Sequence, residues 1–483
     1  MSQSVNEIPR PVTTPYRRWV IFFAAVAILA GGYFFYLQAR GLARLPMRSA
    51  ISGCDNSFYF YWLRSPLWGG DVDFSDDVRD CPTLPPEARE SVLANPRTEL
   101  GLVRNKYGVG WAVANAPSYM LADAFVHAWR IFAPASAPRE DGIGPAYQAA
   151  ILAGQLALAI ASLVLATFIL RHWFPRDVAA LAVLTTWLGS FLFYYQTTDL
   201  SMAHNVVFFA LTACYASALW FGREPTRFWP WIFCGLSGGL LVITRYQTAV
   251  YLLYPVILAI LTRPRRVDPH KIFVKRAPAA KRLRTWLEWW TRTVLATACF
   301  AGVVFIQLYA WKSVYGQWLV DSYEGEAFHF GSPWLREVLF SPFHGLFYWS
   351  PALALGAVGF MLWLGVGKSA RWRRPETCWL VSLAATVYLN AAWVCWWFGA
   401  SFGSRAFDGC VLFFMAGTAF FFYSLGLSRW RYVLLTAAVV LITGNLILAL
   451  GFRKNWIPPE EPVTHAEMWE ALSQGLSRPR GSD

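Results

Sequence analysis

Charge is what this chain has least of. Asp, Glu, Lys and Arg together make up 15% of its 483 residues, where an ordinary soluble domain carries about 25%. Acids are the scarcer sign, 29 against 42 bases. Several motifs are missing as well: there is no P-loop, no GxGxxG after a strand and no HExxH. Nucleotide-driven transport loses support accordingly. No internal repeat of the transporter type is visible. A cleavable signal peptide is not evident either, because the apolar run 19–37 is too long for a signal-peptide core and lacks a small-residue cleavage pattern. It reads as a retained first span.

What is present is apolar. The chain is 56% hydrophobic, with 26 Trp and 36 Phe, and its mean hydropathy is +0.36. That composition predicts an all-α integral membrane protein with wide interfacial aromatic belts. The net charge of +13 does not argue for nucleic acid, because ten of the bases lie between Arg263 and Arg292, between two apolar runs. An inside loop of a membrane protein carries its cations there.

A spanning helix needs about 20 apolar residues. The candidate spans are 18–38, 147–170, 178–196, 203–221, 229–244, 247–262, 293–314, 346–366, 377–397, 407–426 and 431–452, eleven in all. Residues 109–133 make a further apolar helix, interrupted by Pro117, Asp123 and His127, and count as juxtamembrane or re-entrant. With the N-terminus inside, Arg17, Arg171, Arg176, Arg223, Arg227, Lys368, Arg371, Arg373, Arg374 and Arg429 all fall inside, a consistent positive-inside pattern. Arg40, Arg44 and Arg48 run against it. The whole of 1–483 is then one transmembrane domain. It has a first extracytoplasmic loop at 40–146, a basic cytoplasmic loop at 263–292 and an extracytoplasmic tail at 453–483 that could cover the vestibule.

On this topology the polar residues gather on the outer face: Asp55, Lys106, Asp199, His204, Glu324, Glu326, His329, His344 and Arg405. Asp55 opens the aromatic run CDNSFYFYW, which predicts a short helix lying on the bilayer surface. It is either that helix's N-cap or a carboxylate held partly desolvated, in a general base's range. Asp71, Asp73, Asp76 and Asp77 have a spacing that can hold a hard cation, yet they lack the glycine and final Glu of a calcium loop and read mostly as a solvated acidic turn. Asp199 and His204 stand at the mouth of a span, where ionisable groups are costly and default to function; the alternative is a cap with an internally satisfied histidine. Arg245, between two apolar runs, needs an anion such as carboxylate or phosphate, unless it snorkels to lipid headgroups. Lys106 is a phosphate partner or a headgroup anchor. Arg405, after Gly399 and Gly403, points into the outer vestibule, and His344, after Pro342, has a similar place. Asp123 and His127, one turn apart, form a local pair rather than a metal site. Six of the eight cysteines fall in or beside apolar runs, where Cys acts as a small hydrophobe. Cys54 and Cys81 lie in the polar loop, as a disulfide if that loop meets an oxidising compartment and otherwise as two free thiols.

The order of these segments resembles the membrane-embedded GT-C glycosyltransferases of the family 39 and ArnT-like type along almost the whole chain. GCDNSFYFYWLRSPLWGGDVDF is similar to that family's first outer loop, NKYGVGWAVANAP to its juxtamembrane helix, TTDLSMAH to its second acidic site and GLLVITRYQ to its glycine-rich span ending in Thr-Arg. LFSPFHGLFYWSP and FGASFGSR resemble late segments of bacterial members. The resemblance implies a bundle of about eleven transmembrane helices and a polyprenyl-phosphate sugar as donor. The acceptor would be an envelope glycan, lipid or protein, and membrane lipids rather than nucleic acid would be the other partners. It implies Asp55 as the catalytic acid of the first loop, and Asp199 as a second acid placing the acceptor or, with Asp55, a divalent cation such as Mg or Mn. It implies a substrate-binding set of Lys106, Tyr107, Arg245, His204, His344, Arg405 and Tyr59. Where many members show Asp-Glu, this chain has Asp55-Asn56, which bears on both the metal and the base. The alternatives from another class are a lipid or solute transporter with an outward vestibule and a non-catalytic envelope-assembly scaffold.

Overall fold

The computed structural model describes residues 15–44, 49–264, 279–323, 325–365, 375–426 and 428–477. Arg48, Glu324, Lys368, Arg371, Arg373 and Arg374, residues 265–278 of the basic loop, and the end of the tail lie outside the described residues. Among the described residues the chain is helical with no strand; Phe328 and Trp393 make one isolated bridge. Six helices are long and apolar enough to cross a membrane: Arg17–Ala43, Pro145–Leu170, His204–Arg223, Leu283–Tyr315, Arg405–Leu425 and Trp430–Arg453. Trp229–Thr244, Tyr246–Leu261, Pro351–Gly365 and Thr377–Ala392 are apolar but shorter.

The shortening comes from breaks inside stretches that read as continuous spans. Residues 178–196 form Arg176–Leu188 and then Phe191–Tyr195, separated at Gly189 and Ser190. A buried break exposes backbone groups that must find partners. Asn445 supplies them, its amide donating to the carbonyls of Leu188 (2.9 Å) and Ser190 (3.1 Å), while the Ser350 hydroxyl accepts from Phe191 N–H (2.9 Å). Pro351 separates Leu346–Trp349 from Pro351–Gly365, since a proline cannot continue the preceding hydrogen-bond ladder.

Small residues set the closest packing. Trp229–Thr244 lies against both His204–Arg223 and Ala279–Tyr315, and Pro351–Gly365 lies against Val411–Leu425. A Cβ on Gly417 would stand 1.9 Å from the Gly356 carbonyl oxygen. No side chain fits there, so these two backbones touch, as small residues allow between apolar helices.

Between the first two long helices, 54–132 is itself helical. Cys54–Arg64, Phe74–Asp80 and Pro86–Ala94 precede Gly110–Phe132, which runs through Pro117 without stopping. Gly110–Phe132 buries Trp111, Asn115, Tyr119 and Val126 on one side and leaves Leu121, Phe125 and Phe132 exposed on the other. Arg64 and Asp77 staple this region, with Nη1 2.5 Å from Oδ1 and both side chains buried. The acidic stretch is thus structural rather than a solvated turn throughout. Asp73 caps Phe74–Asp80 by accepting from Ser75 N–H, Asp71 accepts from Asp73 N–H, and Asp77 is fully enclosed.

Candidate functional site

The first loop brings Asp55 to the end of the bundle. Gly53, at φ 104°, turns the chain into Cys54–Arg64, and Asp55 sits in the first turn. It does not cap the helix. Its Oδ1 accepts from the Tyr107 hydroxyl at 2.5 Å and its Oδ2 from Arg405 Nη2 at 2.9 Å. The carboxylate is 26% exposed. Burial pushes its pKa up, but the Arg405 guanidinium outweighs that with help from the Tyr107 hydrogen bond and the Lys106 and Arg245 charges. The net effect holds it below the usual carboxylate range. Tyr59, one turn on, packs against the Tyr107 ring with centroids 4.9 Å apart, and burial raises its phenol pKa.

Tyr107 and Lys106 are held close to Arg245 by two glycines. A Cβ on Gly108 would stand 2.2 Å from the Ile243 carbonyl oxygen, and one on Gly110 2.2 Å from Thr244 Oγ1. The segment NKYGVG therefore lies directly on the end of Trp229–Thr244, where Arg245 follows in an extended conformation. Lys106 Nζ is 2.5 Å from Glu326 Oε1 and lies over the Tyr323 ring at 5.1 Å. The loop carrying both partners is tied back by Ser322 Oγ, which donates to the Lys106 carbonyl at 2.9 Å.

Arg245 is 14% exposed and faces two buried groups, His204 Nδ1 at 3.2 Å and Asp408 Oδ2 at 3.9 Å. His204 Nδ1 is itself 2.9 Å from Asp408 Oδ2. Asp408 was absent from the expected set because it falls inside a run taken as a span. Its signal was available, since an acid within an apolar span is rare and defaults to function. Glu326 was expected only as one of the outer-face acids, and Tyr323 not at all. Arg405 follows Gly403, at φ 63°. Among the described residues its buried Nε has no hydrogen-bond partner, and its Nη1 lies 3.9 Å from Met202 Sδ.

Asp199 stands on the far side of Asn56. The Asn56 amide donates to Asp199 Oδ1 at 3.0 Å and to the Ser52 carbonyl at 2.8 Å, and Ser201 Oγ donates to the same Asp199 oxygen at 3.2 Å. Burial raises the Asp199 pKa, against the Asn56 hydrogen bond and the Arg453 and Arg405 charges. Asp55, Tyr59, Lys106, Tyr107, His204, Arg245 and Arg405 thus gather, with Asp199 bridged to them. His344 does not join them. It is buried, stacked on Trp349, with Nε2 3.2 Å from the Pro459 carbonyl oxygen, and burial lowers its pKa to about 4.

One local expectation is corrected. Asp123 and His127 do not pair: the Tyr147 hydroxyl donates to Asp123 at 2.7 Å, and His127 faces Glu140 at 3.6 Å. Cys54 is an exposed free thiol and Cys81 a buried one, packed near Asp77, with its pKa pushed up to about 12 by burial. The tail turns back on the bundle. His465–Ser477 packs on Trp430–Arg453, and His465 Nδ1 is 2.5 Å from the Tyr348 hydroxyl. A divalent cation does not fit the donor set. Hard cations need several oxygen ligands, but both Asp55 oxygens and one of Asp199 already face hydrogen-bond donors. Among the described residues no three His, Cys, Asp or Glu converge.

The arrangement can bind an anion between three cations and set a carboxylate beside it. No family model and no curated protein matches the chain. Among solved structures, an Archaeoglobus fulgidus oligosaccharyltransferase, tethered by a disulfide to an acceptor peptide containing the NVT sequon, is 11% identical with a TM-score of 0.50. The match covers 90% of this chain and 55% of that one. The apo form of the same enzyme is 10% identical with a TM-score of 0.46, covering 96% and 59%. This chain therefore spans little more than half the length of the oligosaccharyltransferase. At these identities the likeness is one of fold alone, an all-helical bundle among the described residues.

Proposed function

We propose that this protein is an inverting glycosyltransferase of the cytoplasmic membrane, with its site on the periplasmic or exterior side. It moves a sugar from a polyprenyl-phosphate donor to a hydroxyl of an envelope glycolipid, polysaccharide or protein. The bundle crosses the membrane eleven times, with 54–132 lying at the outer surface and the exposed apolar face of Gly110–Phe132 turned to lipid. The observation that carries the reading is the ion pair of Asp55 with Arg405, beside Lys106 and Arg245, in a fold similar to that of the oligosaccharyltransferase. The GT-C resemblance of the sequence extends it to the donor.

The donor phosphate enters among Lys106, Arg245 and Arg405, where Arg405 Nε has no hydrogen-bond partner among the described residues. A phosphate there competes with Asp55 for the Arg405 guanidinium and frees the Asp55 carboxylate. The acceptor oxygen then attacks the anomeric carbon from the face opposite the phosphate. A new carbon–oxygen bond forms, the anomeric carbon–phosphate oxygen bond breaks, and its electron pair stays on the phosphate. Asp55 takes the acceptor's proton, and Asp199 places the acceptor. Charge grows on the leaving phosphate, so the cations stabilise the transition state more than the ground state. Fixed donors of this kind give about 2.7–4 kcal/mol each, and general base catalysis adds roughly 10²–10⁴-fold.

The test incubates purified protein with a panel of radiolabelled polyprenyl-phosphate sugars and a membrane extract as acceptor. The expected result is sugar transfer from one donor, lowered roughly 10²–10⁴-fold in Asp55→Asn. Transfer from none of the donors, or undiminished transfer by Asp55→Asn, overturns the reading. A transporter would still move its solute in Asp55→Asn, so vesicle uptake separates the two classes.

A further inference from the structure

A cavity of about 470 Å³ opens beside Asp199, the carboxylate that Asn56 bridges toward the Asp55–Arg405 pair. It falls within the size range of small-molecule sites, about 300–1,000 Å³. Its walls come from the outer end of the first long helix, the turn before Cys54–Arg64, the Thr198–Asp199 turn and the end of Trp430–Arg453. They are polar, with Gln38, Ser52 and Asp199 alongside Arg40, Arg453 and Lys454. Among the described lining residues three cations meet a single carboxylate, Asp199. The cavity is therefore electropositive, and Asp199, with its Oδ1 already engaged by Asn56 and Ser201, does not neutralise it. Arg453 keeps its place by donating from Nη2 to the Leu37 carbonyl at 3.1 Å. Arg40 is exposed at the rim.

We infer that this cavity receives the acceptor, and that the acceptor carries a phosphate or carboxylate close to the hydroxyl that is glycosylated. The inference rests on the glycosyl-transfer reading above and adds to it the charge class of the acceptor. Asn56 explains the coupling. Its single amide is bonded to Ser52 and Asp199 in the cavity wall, and it follows Asp55 directly in the chain. An acceptor lodged against that wall presents its hydroxyl at the seam between the two carboxylates, while its anion reaches Arg453. Guanidinium groups suit phosphate and carboxylate because their paired N–H donors match two oxygens at once. The same cations, at the ends of two apolar helices, could instead hold the headgroup of an anionic phospholipid, and the experiment separates the two sources of phosphate.

Protein in nanodiscs of neutral phosphatidylcholine is given the donor found by the panel, with octyl glucoside 6-phosphate or octyl glucoside as acceptor. Donor hydrolysis by water is followed in parallel. Wild type is expected to show at least a tenfold higher kcat/KM for the phosphorylated acceptor. Arg453→Gln and Arg40→Gln should each erase that preference through acceptor KM, with donor KM and donor hydrolysis unchanged. Arg40 is exposed, so its variant tests the idea even where Arg453→Gln folds poorly. Equal kcat/KM for the two acceptors, or a preference that survives in Arg40→Gln, overturns the inference while Asp55-dependent donor hydrolysis leaves the enzymatic reading standing. A requirement for phosphatidylglycerol in the disc, with no acceptor preference, assigns the cations to lipid and also overturns it. Absence of any donor cleavage overturns both together.

Discussion

At the scale of the residue, the site is a set of mutual restraints. Asp55 is held by Tyr107 and Arg405, Lys106 by Glu326, and Arg245 by His204 and Asp408. Restraint of Asp55 has a sign that kinetics can read. A base must be ionised to act, and Arg405 lowers the pH at which Asp55 loses its charge. The acid limb of kcat/KM, which reports the free enzyme, should therefore lie below the ordinary carboxylate range. In Arg405→Gln the largest lowering influence is gone, and the limb should move to higher pH alongside a loss in rate. A pH–rate profile of both proteins checks this, and an unmoved limb would remove Asp55 from the base's role. Most of these residues could be picked out before the structure because ionisable groups are so sparse in an apolar chain. Their partners could not. Glu326 lies 220 positions from Lys106, and Arg405 lies 350 from Asp55, distances across which local pattern carries no information.

At the scale of the element, two devices hold the first loop against the bundle. One is the glycine pair of NKYGVG, where backbone meets backbone at Ile243 and Thr244. In Gly110→Ala the added Cβ would meet Thr244 Oγ1 at 2.2 Å. The expected cost is about 1–3 kcal/mol of overpacking, seen as a lower melting temperature and a raised donor KM, because Lys106 and Tyr107 move away from Arg245. The other device is the Arg64–Asp77 staple. Burial raises the Asp77 pKa to about 6 even against Arg64, so its charge is uncomfortable and depends on the guanidinium. Arg64→Ala leaves that carboxylate buried and unpaired, a loss of about 3–5 kcal/mol. Hydrogen exchange should show Cys54–Asp80 opening more readily, and unchanged protection there would mean the staple does not hold the loop. The helices of this loop were legible from their aromatic and apolar runs, but their ends were not. Proline at 117 read as an interruption, yet the helix continues, because its packing on Cys54–Arg64 and Pro145–Leu170 outweighs one missing hydrogen bond.

At the scale of the whole molecule, composition and hydropathy were enough to read an all-helical bundle, and six of the eleven expected spans coincide with the long apolar helices among the described residues. The breaks were not legible, since Gly189 and Ser190 sit in a run as apolar as its neighbours. Only the distant Asn445 and Ser350 make that break affordable in the interior. Convergence of the polar residues follows from the same topology, which returns several helix ends to one side of the molecule.

Before any substrate arrives, the opposed charges around Asp55 already balance one another: Asp55, Glu326 and Asp408 against Lys106, Arg245 and Arg405. The phosphate of the proposed lipid donor would therefore be a surplus negative charge, which the molecule must absorb. The least costly way is for Asp55 to gain affinity for hydrogen ions as Arg405 turns to the newcomer. Donor loading in mildly acidic solution should then draw hydrogen ions from the medium, and calorimetric heats measured in two buffers of different ionisation enthalpy should diverge for the wild type and coincide for Asp55→Asn.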